Sequence, residues 1–450
     1  MKSRLWLVIS LLAIASMLLV ACGGGAAATP TTAPAAAPAA TQAPAAGATE
    51  APAAATEAPA AATGEPVSLV LWTQEGEAEG TFAWVQDLAQ RYSKDHPNVS
   101  IEVDNYSTED LRTQFQQGAI AGQSADFLWT VNDHAGPFTA AGLIQPVDDL
   151  LDLSPFVDNA LAAVELDGKH WGIPISNGNH LMLLCNKKIV DTPPADTDEL
   201  IAKGKEWTTG DQYGLVYNLV EPFWLAPWWG GYGMKNVFKE GTTQPDLNNE
   251  AMVNALQFVH DLKFKEKIVP ESADYNAADS LFKEGKAACI INGDWSLGGY
   301  VDAGLDFTVS RIPKLTATGE WPHPYTSGKY FMFNKDLSGP RLNAAIDFAK
   351  FVTSQDIQLE MADKFRRLPA LKTALDAPQI KSDPILSGSA DQMVVGIPMP
   401  TVPEMRCVWD GVRPQLEGVM ADSITPQNAA GEAQNSAEVC VKDIGTGGGD

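Results

Sequence analysis

The chain has 450 residues, with 31 Lys and Arg against 56 Asp and Glu, for a formal net charge of −25 at neutral pH. So acidic a chain makes a poor partner for nucleic acid or another polyanion. Its five cysteines are too few for a disulfide scaffold, and no CxxC, HExxH or related spacing offers a metal site.

Lys2 and Arg4 open the chain and an apolar run follows from Leu5 to Val20. A membrane span needs about 20 apolar residues, so this run predicts an export signal over 1–21 rather than a permanent helix. Leu19, Val20, Ala21 and Cys22 resemble the lipobox of bacterial lipoproteins, which implies a lipid on Cys22 and a membrane anchor. Residues 22–66 are nearly all Ala, Pro, Thr and Gly and hold nothing that could form a core. Proline-rich chain extends by about 3.1 Å per residue, so this linker predicts a stalk with a reach on the order of 100 Å.

The remainder, from Val67, is long enough for two domains. "VSLVLWTQ" reads as a strand, and in "TFAWVQDLAQRYSKDHP" the residues Phe82, Val85, Leu88, Ala89 and Tyr92 recur at helical spacing until Pro97. "VSIEVDNY" predicts a second strand, "TEDLRTQFQQGAIAG" a helix and "ADFLWTV" a third strand. Strands alternating with helices predict an α/β fold with parallel sheets and ligand at the strand carboxyl ends, here Thr73 to Glu77 and Thr130 to His134. A second set starts after "GIPIS", with "HLMLLCNK" a strand and "EAMVNALQFVHDLKFKEKI" an amphipathic helix. "ADSLFKEGKAACIINGDWSLGGY" and "YFMFNK" add further strands. With no linker between the sets, two lobes joined by crossing strands are expected.

The stretch "EPFWLAPWWGGYG", Glu221 to Gly233, crowds five aromatic rings among prolines and glycines. Such residues argue for a loop, and rings beside a carboxylate suit a sugar, apolar on its C–H face and hydroxylic at its edge. Rings capping a core edge are the other reading, and it stays open for Trp228 and Trp229. Trp72 and Trp84 are expected in the core, while Trp207 and Trp321 fit either surface or hinge. Cys185 and Cys289 sit in apolar runs and are expected as small buried hydrophobes. Cys407 and Cys440 lie where oxidation is permitted, and both a bridge and two free thiols remain open.

"FKEGKAACIINGDWS", "SGKYFMFNKD", "AAIDFAKFVTS" and "VPEMRCVWDGVRPQLEGV" resemble the bacterial extracellular solute-binding proteins of sugar ABC importers, most closely those of the maltose and maltodextrin type. The resemblance implies two α/β lobes closing on ligand around a hinge. It assigns 67–177 with 325–390 to the first lobe and 178–324 with 391–445 to the second. It also implies a monomer with no catalytic activity and no cofactor, partnered by a neutral oligosaccharide and by permease subunits. By position it implies stacking for Trp295 and Trp409 and a hydroxyl-binding carboxylate at Glu221. Phe223 falls where the family has a stacking tyrosine, with Trp224 beside it. Asp133 matches a hydroxyl-binding aspartate, and Trp129 lies one residue from a family tryptophan. Asn179 stands in for a family glutamate, Glu77 for an Asp-Lys pair and His134 for an arginine, so sugar as a class is better supported than any one sugar.

Tryptophan with Asp, Glu and Asn suits neutral sugars, whereas anions call for Arg and Lys clusters. Glycoside hydrolases also combine tryptophans with paired carboxylates, so a surface-anchored hydrolase is the competing class. A purely structural surface protein explains the stalk but not the aromatic residues. For Asp133 and Glu221, a helix cap or a solvated charge is the plainer alternative.

Overall fold

The computed structural model describes residues 64–77 and 79–446. The signal segment, Cys22 and the linker up to residue 63 lie outside them. Among the described residues no helix is long and apolar enough to cross a membrane.

The first sheet grows from the strand Val67–Thr73, whose lower half alternates buried and exposed residues and whose last three are all buried. It lies parallel to Val99–Asn105 on one side and to Phe127–Val131 on the other. The sheet is completed from far along the chain: Lys329–Asn334 pairs antiparallel with Phe127–Val131 in the register Lys329↔Val131, and Ile144–Gln145 closes the edge. The second sheet runs Phe307–Ser310, Leu181–Asn186, Ala287–Gly293, Tyr213–Val216. There only the Ala287 and Tyr213 strands are parallel. Both sheets are therefore mixed rather than parallel, because each receives a strand from chain that has crossed from the other lobe or turned back.

Apolar clusters fill both faces of the first sheet, around Val85, Phe127 and Phe348 and around Phe115, Phe138 and Met332. A single larger cluster surrounds the second sheet and extends to the C-terminal helices. Helix starts follow local chemistry. Asp196 and Asn249 accept hydrogen bonds from the amides of Glu199 and Met252, caps worth about 1 kcal/mol each.

Two lobes result, and the chain passes between their sheets at 175–180 and at 327–328. Those passages are laced together: the Gly178 amide donates to Ser327 O at 2.9 Å and the Ser327 amide to Gly178 O at 2.8 Å. Beside them Tyr325–Thr326 pairs with Ile397–Pro398. The helix Pro384–Met393 packs closely on the second sheet's edge, where a Cβ on Gly388 would lie 2.5 Å from Val309 O.

Two further expectations are corrected here. The aromatic stretch is not a loop but a helix, Pro222–Gly231. Pro222 occupies its first turn, where an amide would have no partner anyway, and Trp224, Leu225, Trp228 and Trp229 are buried around its circumference. Gly230 and Gly231 serve close approach: a Cβ on either would come within 2.8 Å of His323 Cβ or 2.6 Å of Leu315 Cδ1. Nor are Cys185 and Cys289 separate small hydrophobes. They face each other across adjacent strands and form a disulfide. Cys407 and Cys440 form a second, tying the helix Met405–Met420 to Pro426–Thr446.

Candidate functional site

Between the lobes lies a cleft of about 680 Å³. Its first-lobe wall is the loop after Val67–Thr73, with Gln74, Glu75, Glu77 and Glu79, joined by Glu109 at a helix start and by Asp133 after Phe127–Val131. Asn105 fixes that loop by donating from Nδ2 to Glu75 O at 2.6 Å. The second-lobe wall carries Phe223 and Trp224 from the aromatic helix, Trp295 after Ala287–Gly293, and Trp409 and Arg413 one turn apart on Met405–Met420.

Eight of the nine binding residues expected from sequence line this cleft: Glu77, Asp133, Asn179, Glu221, Phe223, Trp224, Trp295 and Trp409. The aromatic ones form a connected surface, with Phe223 6.1 Å from Trp295 and 6.3 Å from Trp409 between ring centroids. Trp224 stands edge-on to Trp295 at 5.9 Å, its indole N–H held by Ile291 O. Asn179 occupies a left-handed backbone position at φ 48° in the first inter-lobe passage and donates to Ser327 Oγ at 3.3 Å.

Trp129 is the exception. It is fully buried in the first-lobe core and reaches the cleft only through Glu75, to whose Oε1 its indole N–H donates at 2.8 Å. His134 likewise turns inward, its Nδ1 2.7 Å from Thr130 Oγ1 and its ring against Phe138, and burial holds it well below the usual histidine range. It does not stand in for an exposed arginine. Trp228 and Trp229 are core residues, as are Trp72 and Trp84. Trp207 and Trp321 are half-buried away from the cleft, the latter beneath Arg311 and Lys314.

The charges of the cleft are largely paired. Burial would push the Glu75 carboxyl up, but Arg367, which donates to Oε1 at 2.8 Å, and the nearby Lys329 hold it at about 2. Arg413 donates to Glu221 Oε2, yet burial outweighs that pull and raises Glu221 above the usual range. Asp133 is pushed up to about 6 by burial and by the charge of Glu109, against the opposing hydrogen bond from Trp409 Nε1 at 3.2 Å. Its Oδ1 is buried and makes no hydrogen bond within the protein. Among the described residues no group of three or more His, Cys, Asp or Glu could hold a metal.

The two-lobe α/β fold is shared with known proteins. The model of the bacterial extracellular solute-binding protein family matches residues 87–388. The chain belongs to the bacterial extracellular solute-binding proteins. Among curated members, the maltotriose-binding protein of Pyrococcus abyssi is 32% identical over 367 residues, 77% of this chain and 76% of that one. A maltooligosaccharide ABC transporter solute-binding lipoprotein of Streptococcus pneumoniae is 24% identical over 81% of this chain and 86% of its own. Among solved structures, the maltose/maltodextrin-binding domain from Bdellovibrio bacteriovorus bound to maltotriose superposes with a TM-score of 0.80 at 37% identity, covering 84% of this chain and all of that one.

Membership in a family of binding proteins decides between the capture and hydrolysis left open by tryptophans and carboxylates in the sequence. For a solute-binding protein the arrangement is chemically apt. Flat rings line the second-lobe wall and hydrogen-bond acceptors the first, so a solute with apolar faces and hydroxyl edges satisfies both at once. Sequence reasoning missed Glu79, Tyr275, Lys329 and Arg367, and reached Glu75 only as part of the span Thr73 to Glu77. Arg413 alone carried a local signal, sitting at i+4 from Trp409 and so on the same helix face. Lys329 and Arg367 meet Glu75 only through the fold, at separations of hundreds of residues.

Proposed function

We propose that this chain is the lipid-anchored sugar-capturing subunit of an ABC importer, that it binds a maltodextrin-type α-glucan between its lobes, and that it delivers the sugar to a permease. The observation that carries this reading is the contact of Phe223 with both Trp295 and Trp409, facing Asp133 and Glu77 across the cleft. Each glucosyl ring covered by an aromatic face removes apolar area from water at about 25 cal/mol per Å². The free Oδ1 of Asp133 is an acceptor for a hydroxyl, and a charge-assisted bond there is stronger than a neutral one. Sugar bridging both walls favours the closed arrangement by its differential affinity for it, which is the physical content of hinge closure. The sugars named for the relatives support the α-glucan class. The lipoprotein relative and the Leu19–Cys22 motif support the anchor.

Calorimetric titration of the purified protein with maltose, maltotriose, maltotetraose, trehalose, cellobiose and xylobiose tests the reading. Saturable binding confined to the α-1,4-glucans is expected. A signal from another sugar alone removes the α-glucan assignment, and silence across the set removes sugar altogether.

A further inference from the structure

The aromatic residues at the cleft are themselves tied to the opposite wall. The Trp295 indole N–H donates to the Tyr275 hydroxyl at 3.1 Å, and that hydroxyl donates to Glu79 Oε1 of the first lobe at 2.9 Å. Trp409 donates directly to first-lobe Asp133. One turn earlier on the same helix, Arg406 crosses to Glu109 and is braced by Asp410 at i+4. A glucan lying along Trp295, Phe223 and Trp409 therefore meets a lobe-to-lobe tie beside either tryptophan.

From these ties we infer that the cleft is bounded at both ends and that Tyr275 and Arg406 set an upper limit on glucan length. The inference rests on the α-glucan reading above. A glucosyl unit has about eleven heavy atoms and takes on the order of 150–200 Å³ at close packing. The cleft of about 680 Å³ is thus on the scale of a short oligosaccharide. A longer chain projects past Trp295 or Trp409 and must break Tyr275–Glu79 or Arg406–Glu109 to let the lobes meet. Each broken tie costs the long sugar more affinity than the short one, so these two residues act on the ratio of affinities.

The experiment is calorimetric titration of the full protein, of Arg406→Ala and of Tyr275→Phe with maltotriose and maltoheptaose. In the parent protein the heptaose is expected to bind about tenfold or more weakly than the triose, the scale of one charge-assisted bond lost. Each variant, opening a different end, should bring that ratio towards one, so that misfolding of either leaves the other to report. Equal or rising affinity through the heptaose in the parent protein overturns the inference and leaves the α-glucan reading standing. A variant that weakens both sugars by the same factor also overturns it, since the residue then supports the site without limiting length. Binding of neither sugar overturns the reading and the inference together.

Discussion

Asp133 and Glu75 share a cleft wall with opposite acid–base character. Glu75, held at about 2 by Arg367, favours folding above the ordinary glutamate range, and this contribution fades as the pH falls towards 2. Asp133, raised to about 6, works the other way: the folded state retains its proton more tightly than the unfolded chain, so its contribution is present in acid and is lost as the pH rises from 4 through 6. A hydroxyl donates more strongly to the ionised than to the protonated form of Asp133. Affinity should therefore decline as the pH drops through 6, with Asp133→Asn binding more weakly but with a flatter profile; titrations at pH 5, 6 and 7.5 measure it, and an unchanged slope in the variant would assign the titration to raised Glu221. Trp295 and Trp409, the two tryptophans proposed to stack on sugar, should separate in a different way. Trp295 is only partly buried, whereas Trp409 is 5% exposed and packs on Trp229 and Tyr325 as well as on Phe223. Trp295→Ala is expected to cost about 1–3 kcal/mol of sugar binding with little change in the melting temperature of the free protein. Trp409→Ala should cost a similar amount of binding and also about 3 kcal/mol of stability, because it empties core. Calorimetry of both variants decides whether Trp409 is shared between core and cleft.

At the level of elements, the helix Pro222–Gly231 shows where sequence reasoning succeeds and where it stops. Periodicity and composition made the strands Val67–Thr73, Phe127–Val131 and Leu181–Asn186 legible, as they did the helices starting at Thr81, Thr108 and Glu250, since each carries its own pattern of burial. The aromatic helix has no polar face to give a period, and its prolines and glycines are local breakers. Pro222 fits because it sits in the first turn, and the tertiary setting accounts for Gly230, which lets His323 pass. The cleft divides along the same line. Residues within quoted motifs, such as Asp133, Glu221, Trp295 and Trp409, were legible, while Lys329 and Arg367 were not, because a buried cation announces no distant partner. Trp129 fell on the wrong side because a strand end in a binding loop and a strand end in a core look alike in sequence. Gly230→Ala tests the packing explanation. Helix propensity alone favours alanine by about 1 kcal/mol, but its Cβ would sit 2.8 Å from His323 Cβ and overpacking costs about 1–3 kcal/mol. Net destabilisation in urea is expected; a gain would show that the His323 segment yields freely.

Across the whole molecule, both disulfides fall in the second lobe, and the first lobe has none among the described residues. Cys185–Cys289 closes a segment of 104 residues and Cys407–Cys440 one of 33, separations at which loss of unfolded-chain entropy is worth on the order of 4 kcal/mol each. Both cysteines of Cys185–Cys289 are fully buried, so a reductant meets that bridge only when the second lobe opens, whereas Cys440 leaves one side of Cys407–Cys440 half-exposed. Brief treatment of the native protein with dithiothreitol should therefore spare Cys185–Cys289 and keep that bridge's share of the melting temperature. Protein unfolded, reduced and refolded in reductant should melt about 15–30 °C lower, at about 2–4 °C per kcal/mol for a unit of this size. Because the lost constraint belongs to one lobe, the reduced protein should also begin to show two thermal transitions, with ligand moving both upward if it bridges the two walls as proposed. The comparison is made by scanning calorimetry with tryptophan fluorescence, as Trp84, Trp129 and Trp72 report the first lobe and Trp224, Trp228, Trp229 and Trp409 the second. A single transition displaced equally for both sets of tryptophans would mean that the lobes unfold as one cooperative unit. The Gly178–Ser327 lacing and the lobe-to-lobe ties would then couple them more strongly than the missing bridges divide them.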